Sequence, residues 1–167
     1  MPVVTASLAG LKVLDALGVT AEAAIGHSLG EITALHWAGV LSDEALLRIA
    51  RVRGAAMADL GSPTGGMLAI AAPADKVQAL LNSDAVTIVG YNSSRQTVVA
   101  GEVAALKRVA ERAGAQDWQT TPLPVSHAFH PPLVAAAVPV LAEQLAGENF
   151  ARLERPVIST ITGRLLS

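Results

Sequence analysis

Residues 24–32 read AIGHSLGEI: a short apolar run, a serine bracketed by Gly26 and Gly30, then residues that favour a helix. A strand that enters a helix through G-x-S-x-G is the nucleophile-elbow pattern. It lifts a serine hydroxyl out of a tight turn and offers the next backbone amide to a developing oxyanion. On this reading Ser28 is a nucleophile, the amide of Leu29 is an oxyanion donor, and the following helix N-terminus adds positive potential. The same five residues also fit a plainer role, in which the serine only caps the helix.

The flanking pattern favours a strand–elbow–helix unit in an α/β core. Val4, Leu8, Leu11, Leu14 and Leu17 recur at spacings of four and three, which predicts a helix with one buried stripe, closed by Gly18. Ala23–Ile25 then reads as a buried strand, and helical residues run from the elbow until Gly39. Ser42 with Asp43 and Glu44 forms a cap and an acidic first turn for a helix that reaches about Asp59. From there the rhythm changes. MLAIA (67–71), AVTIVGY (85–91), QTVVAG (96–101) and DWQTTPL (117–123) read as strands, with helices over 73–81 and 102–114 between them. The order βαββαβ is that of a ferredoxin-like subdomain. The predicted architecture is a hydrolase-like α/β core with a parallel sheet over 1–62. The ferredoxin-like insert occupies 63–124, and the core returns over 125–167 with a helix to about Leu145 and a late strand at 155–163.

Composition narrows the function classes. The 167 residues are 51% hydrophobic and 16% charged, with a net charge of −2 and 3% aromatics, and the mean hydropathy is +0.45. This is a packed domain and not a disordered chain. Without a basic run or aromatic platforms, nucleic acid is not an expected partner. The absence of cysteine removes disulfides, thiolate metal sites and a cysteine nucleophile, and fits a cytoplasmic location. Between Asp117 and Glu143 no charged residue other than histidine occurs, yet Pro122, Pro124, Pro131, Pro132 and Pro139 exclude a membrane helix there. No secretory signal is evident at the N-terminus.

Two further elements bear on chemistry. On the helix starting at Asp43, Leu46, Ile49, Val52 and Ala56 share one side at roughly 100° per residue. Arg53 falls between Leu46 and Ile49, with Arg48 and Arg51 on the solvent side. A guanidinium aimed into an apolar face needs an anion, either a core carboxylate such as Glu31 or the carboxylate of a ligand. Downstream, His127 and His130 flank Phe129 in the proline-bounded segment VSHAFHPP (125–132), where an imidazole can serve a serine as base. His27 and His36 read as structural.

GHSLGE (26–31), RVRGAAM (51–57) and VSHAFHPP (125–132) together resemble the acyltransferase domain of type I polyketide synthases. They are similar also to the malonyl-CoA:acyl carrier protein transacylases of fatty acid synthesis. The resemblance spans essentially the whole chain. It implies Ser28 as the acylated nucleophile, His130 as its base, the Leu29 amide as an oxyanion donor and Arg53 as a clamp for the malonyl carboxylate. It also implies that His127 and Phe129 belong to the substrate site, Phe129 filling the space an α-methyl branch would need. The substrates would be malonyl-CoA and the phosphopantetheine thiol of an acyl carrier protein, with no cofactor or metal. The partners would be that carrier protein and other synthase domains such as a ketosynthase. The family pattern extends further at both ends, so the chain reads as a truncated central piece. Pro131 and Thr160 depart from the residues usual in the family. Two rival expectations stand beside this one: a serine hydrolase releasing the acyl group to water, and an inactive structural fragment of a synthase.

Overall fold

A computed structural model of the chain describes residues 2–60, 65–81, 85–124 and 137–166. The chain divides into two compact units, residues 1–55 with 140–167, and residues 56–139. It is an α/β protein whose described residues form a parallel and an antiparallel sheet.

The first unit opens with α1 (Pro2–Ala16), which has proline in its first turn, where no intrahelical N–H is lost. Gly18, at φ 69°, ends it by donating to the carbonyl of Asp15 at 2.9 Å. Its apolar stripe is buried only at Val4 and Leu8, against Leu46, Ala50 and the partly buried Leu29 and Ile32. Leu11 is half-buried, while Leu14 and Leu17 are exposed. The stripe was expected to be buried throughout. Among the described residues, its packing partners reach only the first two turns.

Strand β1 (Ala24–Ile25) pairs in parallel with β6 (Val157–Ile158), placing Ala24 beside Val157. Ala24 packs with Ala34, Ala38 and Val157, whereas Ile25 is 67% exposed. The expected buried strand is thus covered on one face only, as the twofold alternation of a strand allows. The late strand is also shorter than 155–163: it stops at Ile158 and gives way to a turn. Helix α2 (Gly30–Trp37) follows the elbow, and Gly39 at φ 85° closes it. Helix α3 (Asp43–Leu60) begins as predicted, with the Ser42 hydroxyl oxygen accepting from the amide of Ala45 at 3.2 Å. Leu46 and Ile49 are fully buried, and Arg48 forks onto Glu148 through two 2.7 Å hydrogen bonds. Glu148 follows α6 (Ala137–Ala146), whose last turns belong to this unit.

The second unit carries β2 (Gly65–Ile70), α4 (Ala74–Leu81), β3 (Val86–Ser93), β4 (Gln96–Glu102), α5 (Val103–Gly114) and β5 (Thr120–Pro122). Its strands form an antiparallel sheet in the order β3-β4-β2-β5. Leu68 and Ile70 of β2 and Val99 of β4 meet the apolar faces of the helices in one core with Val77, Leu81, Leu106 and Val109. The buried Thr97 hydroxyl is satisfied by donating to the carbonyl of Ala72 at 2.9 Å.

Candidate active site

The chain leaves β1 at Ile25 and enters α2 at Gly30, so the four residues between them must reverse direction within a very small space. Gly26 is where they do it. A Cβ there would lie 2.1 Å from the carbonyl oxygen of Gly30 and 2.4 Å from the amide nitrogen of Glu31. Two backbone hydrogen bonds close the turn, from Gly30 N–H to His27 O at 2.9 Å and from Glu31 N–H to Ser28 O at 3.0 Å. Ser28 sits at φ 55°, in the left-handed region that side-chain-bearing residues avoid. Such strain persists only where the surroundings impose it, and it concentrates at functional positions.

The helix cap goes to another residue. Leu29 occupies the cap position of α2, with no side-chain hydrogen bond to the helix. Ser28 is exposed, and among the described residues nothing bonds its hydroxyl. Capping therefore does not account for the serine, whereas presentation of its hydroxyl does. The Leu29 side chain packs against Val4, Leu8, Leu46 and Ala50. Among the described residues its amide has no backbone acceptor and stands free at the start of α2.

Arg53 lies one turn beyond Ala50, on the stripe of α3 (46, 50, 53) whose first two members pack with Leu29. It is half-buried, and loss of water around the guanidinium lowers its pKa from the ordinary arginine value. No described carboxylate pairs with it. The core partner considered from sequence, Glu31, is engaged elsewhere: its Oε1 accepts from the amide of Thr160 at 3.1 Å and from the Thr160 hydroxyl. A cation with no anion among the described residues, on a face packed against the elbow, is suited to receive a ligand carboxylate.

His127, Phe129 and His130 lie outside the described residues. His36 is structural, as expected. Its Nε2 meets Asp43 Oδ1 at 2.8 Å, and the other carboxylate oxygen holds Lys12 Nζ at 2.6 Å. His27 is exposed and lines a cavity of about 710 Å³ with Lys12, Trp37 and Arg155. Ser28 does not line that cavity, so the serine is presented elsewhere. The Glu31–Thr160 contact had no sequence signal, because it joins residues 129 positions apart. Among the described residues no helix is long and apolar enough to cross a membrane.

The family model for the acyl transferase domain matches residues 2–165. Polyketide synthase GfsA of Streptomyces halstedii is 38% identical over 159 residues, which cover 93% of this chain and 2% of that synthase. The mycoketide-CoA synthase of Mycobacterium tuberculosis is 37% identical over 155 residues, covering 92% of this chain and 4% of the synthase. Among solved structures, the acyltransferase domain of an iterative polyketide synthase in enediyne biosynthesis superposes with a TM-score of 0.91 at 41% identity. That match covers 98% of this chain and 44% of the solved one. The malonyl CoA-acyl carrier protein transacylase of Clostridium perfringens gives 0.90 at 29% identity, over 98% of this chain and 54% of that one. A malonyl-transacylase in complex with a type II acyl-carrier protein gives 0.90 at 30% identity, over 98% and 56%. The chain thus spans about half of the solved chains it matches and a few per cent of the curated synthases.

Proposed function

The chain belongs to the acyl transferase domain family, and from that premise we propose that it carries the acyl-accepting centre of a malonyl transferase serving polyketide or fatty acid synthesis. The observation behind this reading is Ser28, held at φ 55° on an elbow that packs against the helix face bearing Arg53, which pairs with no described carboxylate.

In the first step Ser28 Oγ attacks the thioester carbonyl of malonyl-CoA. The new O–C bond forms as the C–S bond breaks, His130 takes the hydroxyl proton, and CoA leaves as the thiol once that proton is returned to sulfur. The Leu29 amide stabilises the oxyanion, and Arg53 holds the free carboxylate of the acyl group. In the second step the phosphopantetheine thiol of an acyl carrier protein attacks the malonyl-serine ester, and Ser28 recovers its proton. A neutral acetyl donor leaves the guanidinium without its partner, which sets the preference for a carboxylated donor. His127 and Phe129 complete the pocket in this reading, and no metal or cofactor is assigned to it.

We further infer a hydrolase-like core over 1–62 and 125–167 around a ferredoxin-like insert at 63–124. The βαββαβ order and the antiparallel sheet of the second unit support the insert. The assigned partners are an acyl carrier protein and neighbouring synthase domains such as a ketosynthase, in the cytoplasm. The malonyl-transacylase bound to its carrier protein supports the first of these.

The test is an intact-protein mass spectrum after brief incubation with malonyl-CoA, with Ser28→Ala, Arg53→Ala and acetyl-CoA as comparisons. One malonyl adduct is expected on the wild type and none on Ser28→Ala. Loss of a charge-assisted pair of about 1.5–3 kcal/mol should slow Arg53→Ala roughly 10- to 100-fold with malonyl-CoA and leave acetyl transfer little changed. An adduct that persists in Ser28→Ala would overturn the assignment.

A further inference from the structure

We propose that Glu31 and Thr160 are positioning residues for the nucleophile, a clasp between the first turn of α2 and the turn after β6 that holds Ser28 in its strained conformation. The proposal rests on the reading of Ser28 as the acylated group. Glu31 joins the elbow to the turn after β6. Its N–H donates to the Ser28 carbonyl at 3.0 Å, and its Oε1 accepts both the amide (3.1 Å) and the hydroxyl of Thr160. The same hydroxyl oxygen lies 3.3 Å from the carbonyl oxygen of Gly26. The residue that opens the elbow and the residue that closes it therefore both border the Thr160 side chain, whose single hydroxyl proton goes to Glu31.

Thr160 is itself rigidly placed. The preceding Ser159 is buried, and its hydroxyl oxygen accepts from the amides of Ile161 (3.1 Å) and Thr162 (3.3 Å). The Gly163 amide donates to the Ser159 carbonyl at 2.8 Å, and the Ser159 amide donates to Arg164 O at 2.9 Å. Parallel pairing of β1 with β6 brings this turn to the end of β1, where the elbow begins. The clasp answers a physical need. The α2 hydrogen bonds do not by themselves demand φ 55° at Ser28, and a strained backbone relaxes unless other contacts over-determine it. A tie from outside the helix supplies that constraint. It also keeps the Glu31 carboxylate occupied, leaving Arg53 for a ligand.

Four variants test this: Glu31→Ala, which cuts the clasp, and Thr160→Val, which removes its hydroxyl donor, beside Glu31→Gln and Thr160→Ser, which retain the acceptor or the donor. Each is followed by the rate of Ser28 acylation at increasing malonyl-CoA, by labelling with a fluorophosphonate that needs no carboxylate clamp, and by thermal unfolding. All rates are taken well below the melting transition. The cutting variants are expected to lower the maximal rate with both reagents on the order of tenfold, since small misplacement of a reacting group is costly. The half-saturating malonyl-CoA concentration should not move, and the Gln and Ser variants should recover most of the rate. Wild-type rates in the folded Ala and Val variants, or an effect confined to half-saturation or to melting, would overturn the proposal. A wild type that reacts with the phosphonate but not with malonyl-CoA would sink the acyl-donor assignment while leaving the clasp to be judged on labelling. A wild type that reacts with neither removes the nucleophile and the clasp together.

Discussion

Gly26 and Gly30 occupy equivalent places in the G-x-S-x-G pattern, yet the structure predicts opposite outcomes for alanine at the two positions. At Gly26 a methyl group would overlap the carbonyl carbon of Gly30 at 2.2 Å as well as its oxygen and the Glu31 nitrogen. All three are backbone atoms, so relief requires opening the elbow by more than an ångström. That movement breaks the Gly30–His27 and Glu31–Ser28 hydrogen bonds, at about 1 kcal/mol each. Overpacking against backbone adds about 1–3 kcal/mol. Gly26→Ala should therefore lose about 3–5 kcal/mol in urea unfolding and should not be acylated at Ser28. At Gly30 an added Cβ meets nothing within 4 Å among the described residues, and the site is the first residue of α2. Gly30→Ala should match the wild type or gain up to about 1 kcal/mol, because alanine loses less backbone entropy in a helix. The assay is paired: urea midpoints and malonyl-adduct yields for both variants. Equal effects at the two positions, or a Gly26→Ala protein that folds and acylates normally, would refute the elbow geometry.

Three other outcomes follow from single contacts. Ser28→Gly removes the Cβ that is strained at φ 55° and should raise stability by about 1 kcal/mol while abolishing acylation; Ser28→Ala should abolish acylation without that gain, and equal urea midpoints for the two would contradict the strain. Thr97→Val leaves the Ala72 carbonyl without its buried donor and should cost about 1–3 kcal/mol, a loss that Thr97→Ser largely avoids in the same denaturation assay. The Lys12 hydrogen bond, followed by that of His36, holds the Asp43 carboxyl below its usual range, and Arg48 does the same for Glu148. Because these folded-state values are depressed, their stabilisation is complete above the unfolded carboxylate range of about pH 4 and fades as pH falls through the folded values. Urea midpoints should drop on acidification, less steeply in Glu148→Gln and in high salt; a midpoint flat down to pH 3 would contradict the pairing.

Most of the fold was legible because the signals were local. The 3.6-residue stripe, the Ser42 cap and the glycines at 18 and 39 each state where a helix starts or stops, and their contacts lie within a few residues. The βαββαβ order was legible for the same reason: the apolar runs of β2 and β4 stand out against the turn-forming residues 61–66 and 92–95 that precede them. What sequence did not reveal depends on residues far apart in the chain. The exposure of Leu14 and Ile25 follows from how far their neighbours extend, and the shortening of the late strand follows from the Ser159 turn. At the site, Ser28, Leu29 and Arg53 came from motif and periodicity. Glu31 was weighed only as a partner for Arg53, because nothing in a linear pattern marks Thr160 as its hydrogen-bond donor.

The engagement of Glu31 by Thr160 bears on how the elbow works. From sequence, Glu31 is one candidate partner for Arg53, a carboxylate and a guanidinium on neighbouring helices, and a ligand carboxylate is the other. If they met, the charge proposed to receive a substrate carboxylate would be spent inside the protein, and the proposed tie from the elbow to the β6 turn would be lost. Thr160 instead meets Oε1 of Glu31 with two uncharged donors. A neutral donor is the fitting choice here. It satisfies the carboxylate oxygen without placing another cation near the nucleophile, where it would compete with Arg53 for the incoming anion. Replacing Thr160 by lysine should therefore keep Glu31 occupied yet blunt the preference for malonyl over acetyl donors, because a second cation near the elbow no longer demands the carboxylate at Arg53 alone. A Thr160→Lys protein whose malonyl-to-acetyl ratio equals that of the wild type would show that selectivity is set without regard to charge at the clasp.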